Sequence, residues 1–221
     1  MTLESRAAAH AALGDARRLL IVDYLASSDL TVAELANIPG IGTNLLAHHL
    51  DILEEASIIR RSVSEGDRRR KYVSLMWDSL PPLQPAVPHA VGSVAFICTH
   101  NSARSQFAAA VWEQATGGKA QSAGSHPAVR VHPLAVKAAA RLDIDLSSAL
   151  PRGYETLETV PDLVVSVCDR ARETGLPTAK TTIHWSVPDP VRAGNLQSFH
   201  QAFIEIASRV ERLRNDSEPS R

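Results

Sequence analysis

The sequence predicts two domains of different class: a mainly α N-terminal domain ending in a hairpin, and a C-terminal α/β domain doubly wound on a four-stranded parallel sheet. Three observations carry this. Residues 81–89, PPLQPAVPH, hold four of the 13 prolines and no Asp, Glu, Lys or Arg. Proline neither continues a helix nor pairs in a central strand, so residues 81–90 read as a short, semi-stiff linker. Before the linker, apolar residues recur at three- and four-residue steps; after it, short apolar runs alternate with helical patterns. The expected domains are therefore residues 1–80 and 91–216.

A chain of 221 residues is long enough for each domain to bury its own core. The net charge of −1 directs the whole chain to neither nucleic acid nor membrane, so local charge has to be read instead. The first residues, MTLESRAAAHAALGDARRLL, lack the apolar core of a signal peptide. No run approaches the roughly 18 apolar residues of a membrane span. The two cysteines, Cys98 and Cys168, are too few for a disulfide framework. A cytoplasmic protein with no membrane partner is expected, in which a cysteine serves chemistry more readily than structure.

In the N-terminal domain, Ala8, Ala11, Leu13, Leu19, Leu20, Ile21, Tyr24 and Leu25 give one helical pattern, broken at Ser27-Ser28-Asp29. A second helix, LTVAELANIPG, carries Thr31 as N-cap with Glu34 at capping-box spacing, and Pro39-Gly40 ends it. A third begins with Thr43 or Asn44 as cap, and Leu45, Leu46, Leu50, Ile52 and Leu53 supply its apolar face. Two helices joined by a short turn form a helix-turn-helix. The second of them presents Thr43, Asn44, Ala47, His48 and His49, small or polar residues suited to a major groove. Ile58-Ile59 and Tyr72-Val73 then flank a turn at Glu65-Gly66-Asp67, which predicts a β-hairpin. Arg68, Arg69, Arg70 and Lys71, with Arg60 and Arg61 on the facing strand, make it a candidate phosphate contact.

On the segments ALGDARRLLIVDYL, LTVAELA, LLAHHLDILEEASII and the basic hairpin, this half resembles the winged-helix repressors of the arsenical-resistance (ArsR) family. The resemblance implies a homodimer, joined through this domain, that binds operator DNA. Members that sense arsenite use helix thiolates, and residues 1–90 contain no cysteine. His48 and His49 are neighbours and point to different helix faces, so no metal site is expected.

The C-terminal domain opens with the strand SVAFI, the polar loop CTHNSARS and the helix QFAAAVWEQAT. A strand-loop-helix unit gathers backbone N–H groups and the positive helix end around one point, where a phosphate-sized oxyanion fits. Arg104 adds a planar fork for two of its oxygens. Cys98 sits at the base of this cradle, where positive surroundings favour the nucleophilic thiolate, and Ser105 can hydrogen-bond it. Further strands are expected at KAQSAGS, DLVVSVC and TTIHWSV, and helices at HPLAVKAAARL and NLQSFHQAFIEIASRVERLR. The site then lies at the strands' carboxyl ends. Asp189, in VPDP at the same edge, can protonate a leaving oxygen, although an Asp-Pro turn explains it as well.

On CTHNSARSQ, SAGS, PDLVVSVC and HWSVPDP, residues 93–214 resemble the low-molecular-weight protein tyrosine phosphatases, and more closely their arsenate reductase branch. The resemblance implies Cys98 as nucleophile and Arg104 as oxyanion binder within the loop Thr99, His100, Asn101, Ser102 and Ala103. It implies further that Asn101 holds the loop, Ser105 supports the thiolate and Asp189 is the acid. Gln106, where phosphatases usually have Pro, Val191, where they usually have an aromatic residue, and Trp185 all favour the reductase branch. In that branch Cys168 matches a second cysteine that attacks the arsenylated nucleophile, although a small buried residue at a strand end explains it as well, and the place of the third is Gly175. No bound cofactor is implied. The reductant is external: thioredoxin, glutaredoxin or a low-molecular-weight thiol. The expected function is a DNA-binding regulator fused to an arsenate reductase. A phosphohydrolase, or a regulator that only senses arsenate or a phosphate-like oxyanion, is the alternative.

Overall fold

In the computed structural model, the apolar pattern of the first 27 residues forms two helices where one was expected, α1 (Leu3–Leu13) and α2 (Ala16–Ser27). The break is local chemistry. Gly14 ends α1, and the Asp15 side chain caps α2 by accepting from the N–H groups of Arg17 at 2.9 Å and Arg18 at 3.1 Å. The expected capping box forms at α3 (Val32–Ala36): Glu34 N–H donates to Thr31 Oγ1 at 3.2 Å, and Thr31 N–H donates to the Glu34 carboxylate at 2.7 Å. After a turn, α4 (Thr43–Glu55) begins one or two residues ahead of the expected start, with Thr43 already helical. The hairpin pairs β2 (Ile59–Val63) with β3 (Lys71–Leu75), and the short β1 (Leu30–Thr31) joins the far side of β3, which the sequence did not suggest. Ile21, Leu35, Leu50, Leu53 and Ile58 fill the core of this unit.

The structure describes residues 2–41, 43–77, 80 and 92–217, so the linker expected over 81–90 lies outside the described residues. The chain divides into two units, Met1–Pro88 and His89–Arg221. The second is built on four parallel strands: β4 (Val94–Cys98), β5 (Ala120–Gly124), β6 (Leu163–Ser166) and β7 (Thr181–His184), in the order β5-β4-β6-β7. The chain leaves β4 to one side through α5 (Arg104–Thr116) and later returns to its other side through α6 (Pro133–Ala140). That reversal opens a crevice at the carboxyl end of β4. Every residue of β4 is buried, as a central strand with helices on both faces requires.

The strand expected over 162–168 stops at Ser166, and Cys168 instead caps a short helix, α7 (Asp169–Thr174). A second short helix, α8 (Pro190–Ala193), follows Asp189, and the long α9 (Leu196–Ser217) closes the unit. The α9 side chain Phe203 stacks on Phe107 of α5 with centroids 4.0 Å apart, which fixes the helix that carries Arg104 against the sheet. Among the described residues no helix is long and apolar enough to cross a membrane.

Candidate active site and nucleic-acid interface

β4 delivers Cys98 to the crevice, and the loop 99–103 turns around it. Three carbonyls of this loop are held by a facing segment. His126 N–H donates to Thr99 O at 2.8 Å, Ala128 N–H to His100 O at 2.9 Å, and His132 N–H to Ser102 O at 2.8 Å. In a planar trans peptide the N–H opposes its C=O, so the amides of His100, Asn101 and Ala103 turn inward. One of them closes on the sulfur: Asn101 N–H donates to Cys98 Sγ at 3.1 Å. The loop needs room on its outer side. A Cβ at Gly124 would lie 2.7 Å from Thr99 O and 2.8 Å from Asn101 N, so only glycine fits the end of β5.

Cys98 is 4% exposed, and its sulfur lies 2.9 Å from Ser105 Oγ. The direction of that bond is set three residues away. Arg152 N–H donates to Asn101 Oδ1 at 2.8 Å, so the other end of the Asn101 amide is Nδ2, and it donates to Ser105 Oγ at 2.9 Å. With Ser105 Oγ an acceptor there, its own proton points to Cys98 Sγ. The sulfur therefore faces two donors, the Asn101 amide and the Ser105 hydroxyl. Asn101 pays for this with a left-handed backbone, φ 47°, a conformation asparagine tolerates better than other residues with a Cβ.

Arg104, the first residue of α5, is buried at 6% exposure. Its Nη1 donates to Val187 O at 2.6 Å, and Nη2 lies 3.3 Å from Asp189 Oδ1. Asp189 thus stands at the same edge as Cys98, linked to its loop through the arginine. It also caps α8, accepting from Val191 N–H at 3.3 Å, so the Asp-Pro turn expected from the sequence is formed and the carboxyl stays beside Arg104. His100 is turned outward, its Nδ1 3.0 Å from His126 O.

Cys168 is 2% exposed, with Sγ 3.1 Å from Thr99 Oγ1, so the two cysteines flank one loop. Asp169, next in sequence, is tied down by a buried cluster that the sequence did not reveal. His184 Nε2 lies 3.2 Å from Asp169 Oδ1, and Nδ1 lies 2.7 Å from Ser166 Oγ. This fastens the start of α7 to β7. Tyr154 is a further residue that nothing in its neighbourhood of the sequence marks. Burial, with a smaller contribution from the nearby Cys98 and Cys168, pushes its phenol up to about 12, against a hydrogen bond to Ser125. The protonated hydroxyl donates to Gly175 O at 3.3 Å, beside the turn where α7 ends.

In the N-terminal unit, Ala47 and His48 of α4 are exposed, and of Thr43 and Asn44 only the backbone is described. His49 departs from the expected DNA-facing set. It is 4% exposed, because three and four residues along a helix from the buried Leu46 and Leu53 the face is the core face. Burial pulls its imidazole below the usual histidine range. Arg68, Arg69, Arg70 and Lys71 are exposed, on a turn tightened by Ser64 Oγ accepting from Gly66 N–H at 3.0 Å. Arg69 pairs with Asp67 at 3.0 Å. Arg60 is half-buried, and Arg61 is committed to α4 through Glu54 and through Asp51 at 2.7 Å. Arg61 is therefore a tie between strand and helix rather than a free cation. Among the described residues no three of His, Cys, Asp and Glu stand together so as to hold a metal ion.

A buried cysteine at the end of a parallel strand, ringed by inward amides and a buried arginine, defines the class of enzymes that attack tetrahedral oxyanions through sulfur. The chain belongs to the low molecular weight phosphotyrosine protein phosphatase family, whose model matches residues 93–218. Residues 15–61 match the model of the bacterial regulatory proteins of the arsR family. Among curated proteins, the chain is 33% identical over 132 residues to an arsenate reductase of Bacillus cereus, with 57% of this chain and 96% of that protein covered. It is 34% identical over 132 residues to an arsenate reductase of Halalkalibacterium halodurans, with 52% and 90% covered. A solved arsenate reductase in a phosphate-binding state superposes with TM-score 0.51 at 28% identity, over 57% of this chain and 98% of that one.

Proposed function

We propose that residues 91–216 form an arsenate reductase and residues 1–80 a DNA-binding regulator joined to it. The observation that carries the enzymatic reading is the Cys98 sulfur, which faces the Asn101 amide at 3.1 Å and the Ser105 hydroxyl at 2.9 Å within a loop of inward N–H groups. Thr99, His100, Asn101, Ser102 and Ala103 contribute the cradle, and Arg104 binds the oxyanion. The Cys98 thiolate attacks arsenic(V), an S–As bond forms, and one As–O bond breaks. Asp189 supplies the proton with which that oxygen leaves as water. An oxyanion at Arg104 competes with Asp189 for the guanidinium, which releases the carboxyl to carry that proton. A second thiol then attacks the Cys98 sulfur. A disulfide forms, and the S–As electron pair goes to arsenic, which leaves as arsenite.

Cys168, on the same loop, is one source of that second thiol; an external low-molecular-weight thiol, glutaredoxin or thioredoxin is the other. With Gly175 where a third cysteine would stand, any disulfide formed with Cys168 is reduced directly by the external partner. The regulator half binds operator DNA in the cytoplasm as a homodimer through the N-terminal unit, with Ala47, His48 and the cations of the β2–β3 turn toward the DNA.

The test compares two assays on the full chain: arsenate reduction with added thiol, and hydrolysis of an aryl phosphate without thiol. Arsenite formation that is lost in Cys98→Ser is expected. Strong Cys98-dependent aryl phosphate hydrolysis with no arsenite formed would replace the reductase by a phosphatase.

A further inference from the structure

Gln106 lies one layer behind the reacting groups, and the sequence marks it only because phosphatases usually carry Pro there. It is 8% exposed, and its side chain reaches back over the loop. Its Nε2 donates to Leu150 O at 2.8 Å and to Asn101 Oδ1 at 2.9 Å. The backbone carbonyl of Leu150 fixes which end of the amide is nitrogen, and both protons of that nitrogen are then used. Asn101 Oδ1 is equally full, accepting from Gln106 and from Arg152 N–H at 2.8 Å. What remains of the Asn101 amide points to Ser105, and what remains of Ser105 points to the sulfur.

We propose that Gln106 is a positioning residue for the Cys98 nucleophile, orienting the Asn101 amide so that the Ser105 proton is committed to the sulfur. The chain of bonds runs in one direction, from Gln106 through Asn101 and Ser105 to the sulfur. Without the Gln106 donor, Asn101 Oδ1 keeps a single partner, and the amide, already in a left-handed backbone, can rotate away from Ser105. The Ser105 hydroxyl is then free to turn, and the thiolate loses one of its two donors. A Pro at this position has no side-chain donor to offer. In a chain with Pro, the loop must be held by other means. This deepens the proposed reaction at the same site, but it concerns the state of the sulfur and holds for any oxyanion substrate.

The experiment reads thiol ionisation rather than turnover. The rate of alkylation by iodoacetamide is followed against pH in the full chain, and peptide mass mapping separates Cys98 from Cys168. Gln106→Met keeps length and packing without a donor. Gln106→Glu keeps the shape but, as carboxylate, sets an acceptor against two carbonyl oxygens. In both, the midpoint pH for Cys98 is expected to rise by about one unit, the size of one hydrogen bond to a charged group. The midpoint for Cys168 is expected to stay where it is. Unchanged Cys98 midpoints in both variants, with folding intact by circular dichroism, would overturn the proposal and leave Gln106 as packing. A shift shared equally by Cys98 and Cys168 would also overturn it, since that reports a general loosening of the fold. Arsenate turnover plays no part in this readout, so failure of the reductase reading and failure of this one are distinguishable.

Discussion

The Cys98 loop and the β2–β3 turn both present positive character to phosphate-like groups, and they are built in opposite ways. Around Cys98 the groups that shape the loop have fixed partners: loop carbonyls on the 126–132 segment, Asn101 on Gln106 and Arg152, Arg104 on Val187 and Asp189. In the hairpin turn, Arg68, Arg69, Arg70 and Lys71 extend into solvent, where Arg69 and Arg70 pair with Asp67. Bond-making on one tetrahedral centre needs donors held where charge develops, so order is required there. Attraction to a DNA backbone is a sum over mobile charges, and exposure serves it. Position matters in the first case and number in the second.

Lysine substitution is the sharpest way to break that contrast. Arg104→Lys keeps the charge but loses the planar fork that meets Val187 and Asp189 together. It is expected to lower kcat/KM for arsenate by about 10²- to 10³-fold, measured at fixed thiol. Arg70→Lys, the same change in the turn, is expected to leave operator affinity unaltered, because a phosphate accepts lysine as a point charge. Equal sensitivity at the two positions would erase the distinction.

The next effect is smaller and additive. Arg68→Ala, Arg69→Ala and Arg70→Ala should each weaken binding across all DNA sequences and lower the slope of log affinity against log salt by about one for each phosphate no longer neutralised. Titration of binding at several salt concentrations checks this. A variant that altered sequence preference with the slope intact would place that arginine on base edges instead.

The smallest effect concerns His49. Its imidazole is held below the usual histidine range by burial, which outweighs the favourable charge of Asp15. The unfolded chain binds a proton here more readily than the folded unit, so this residue lowers stability as the pH falls through the ordinary histidine range. His49→Leu is expected to flatten the acid side of the pH–stability profile while operator affinity stays within about twofold. A loss of affinity with stability unchanged would return His49 to the DNA-facing set.

How much can be read from the sequence follows from the range of the interactions. Cys98, Arg104 and Ser105 are legible because one strand-loop-helix unit contains them, and β4 and β6 because each is a short apolar run. The Thr31–Glu34 box is likewise local. The split of the first helix is local too, but the apolar spacing runs on across Gly14-Asp15 and masks the Gly14 end and the Asp15 cap that separate the two pieces. Helix α7 is too short for a periodic pattern, so the sequence puts Cys168 on a strand end rather than on a cap. Gln106 with Leu150, and His184 with Asp169, are joined across 44 and 15 residues, and no spacing rule reports such pairs. For His49, polarity suggests the DNA face, while its register beside Leu46, Leu50 and Leu53 decides burial.

The most direct measurement is arsenite formed from arsenate by the full chain, supplied in turn with thioredoxin, glutaredoxin and low-molecular-weight thiol systems, alongside Cys98→Ser and Cys168→Ser. The account predicts turnover with at least one of these systems and none in Cys98→Ser, while Cys168→Ser separates the internal thiol from the external one. Arsenite formation that persists in Cys98→Ser, or its absence with every thiol system, would contradict it.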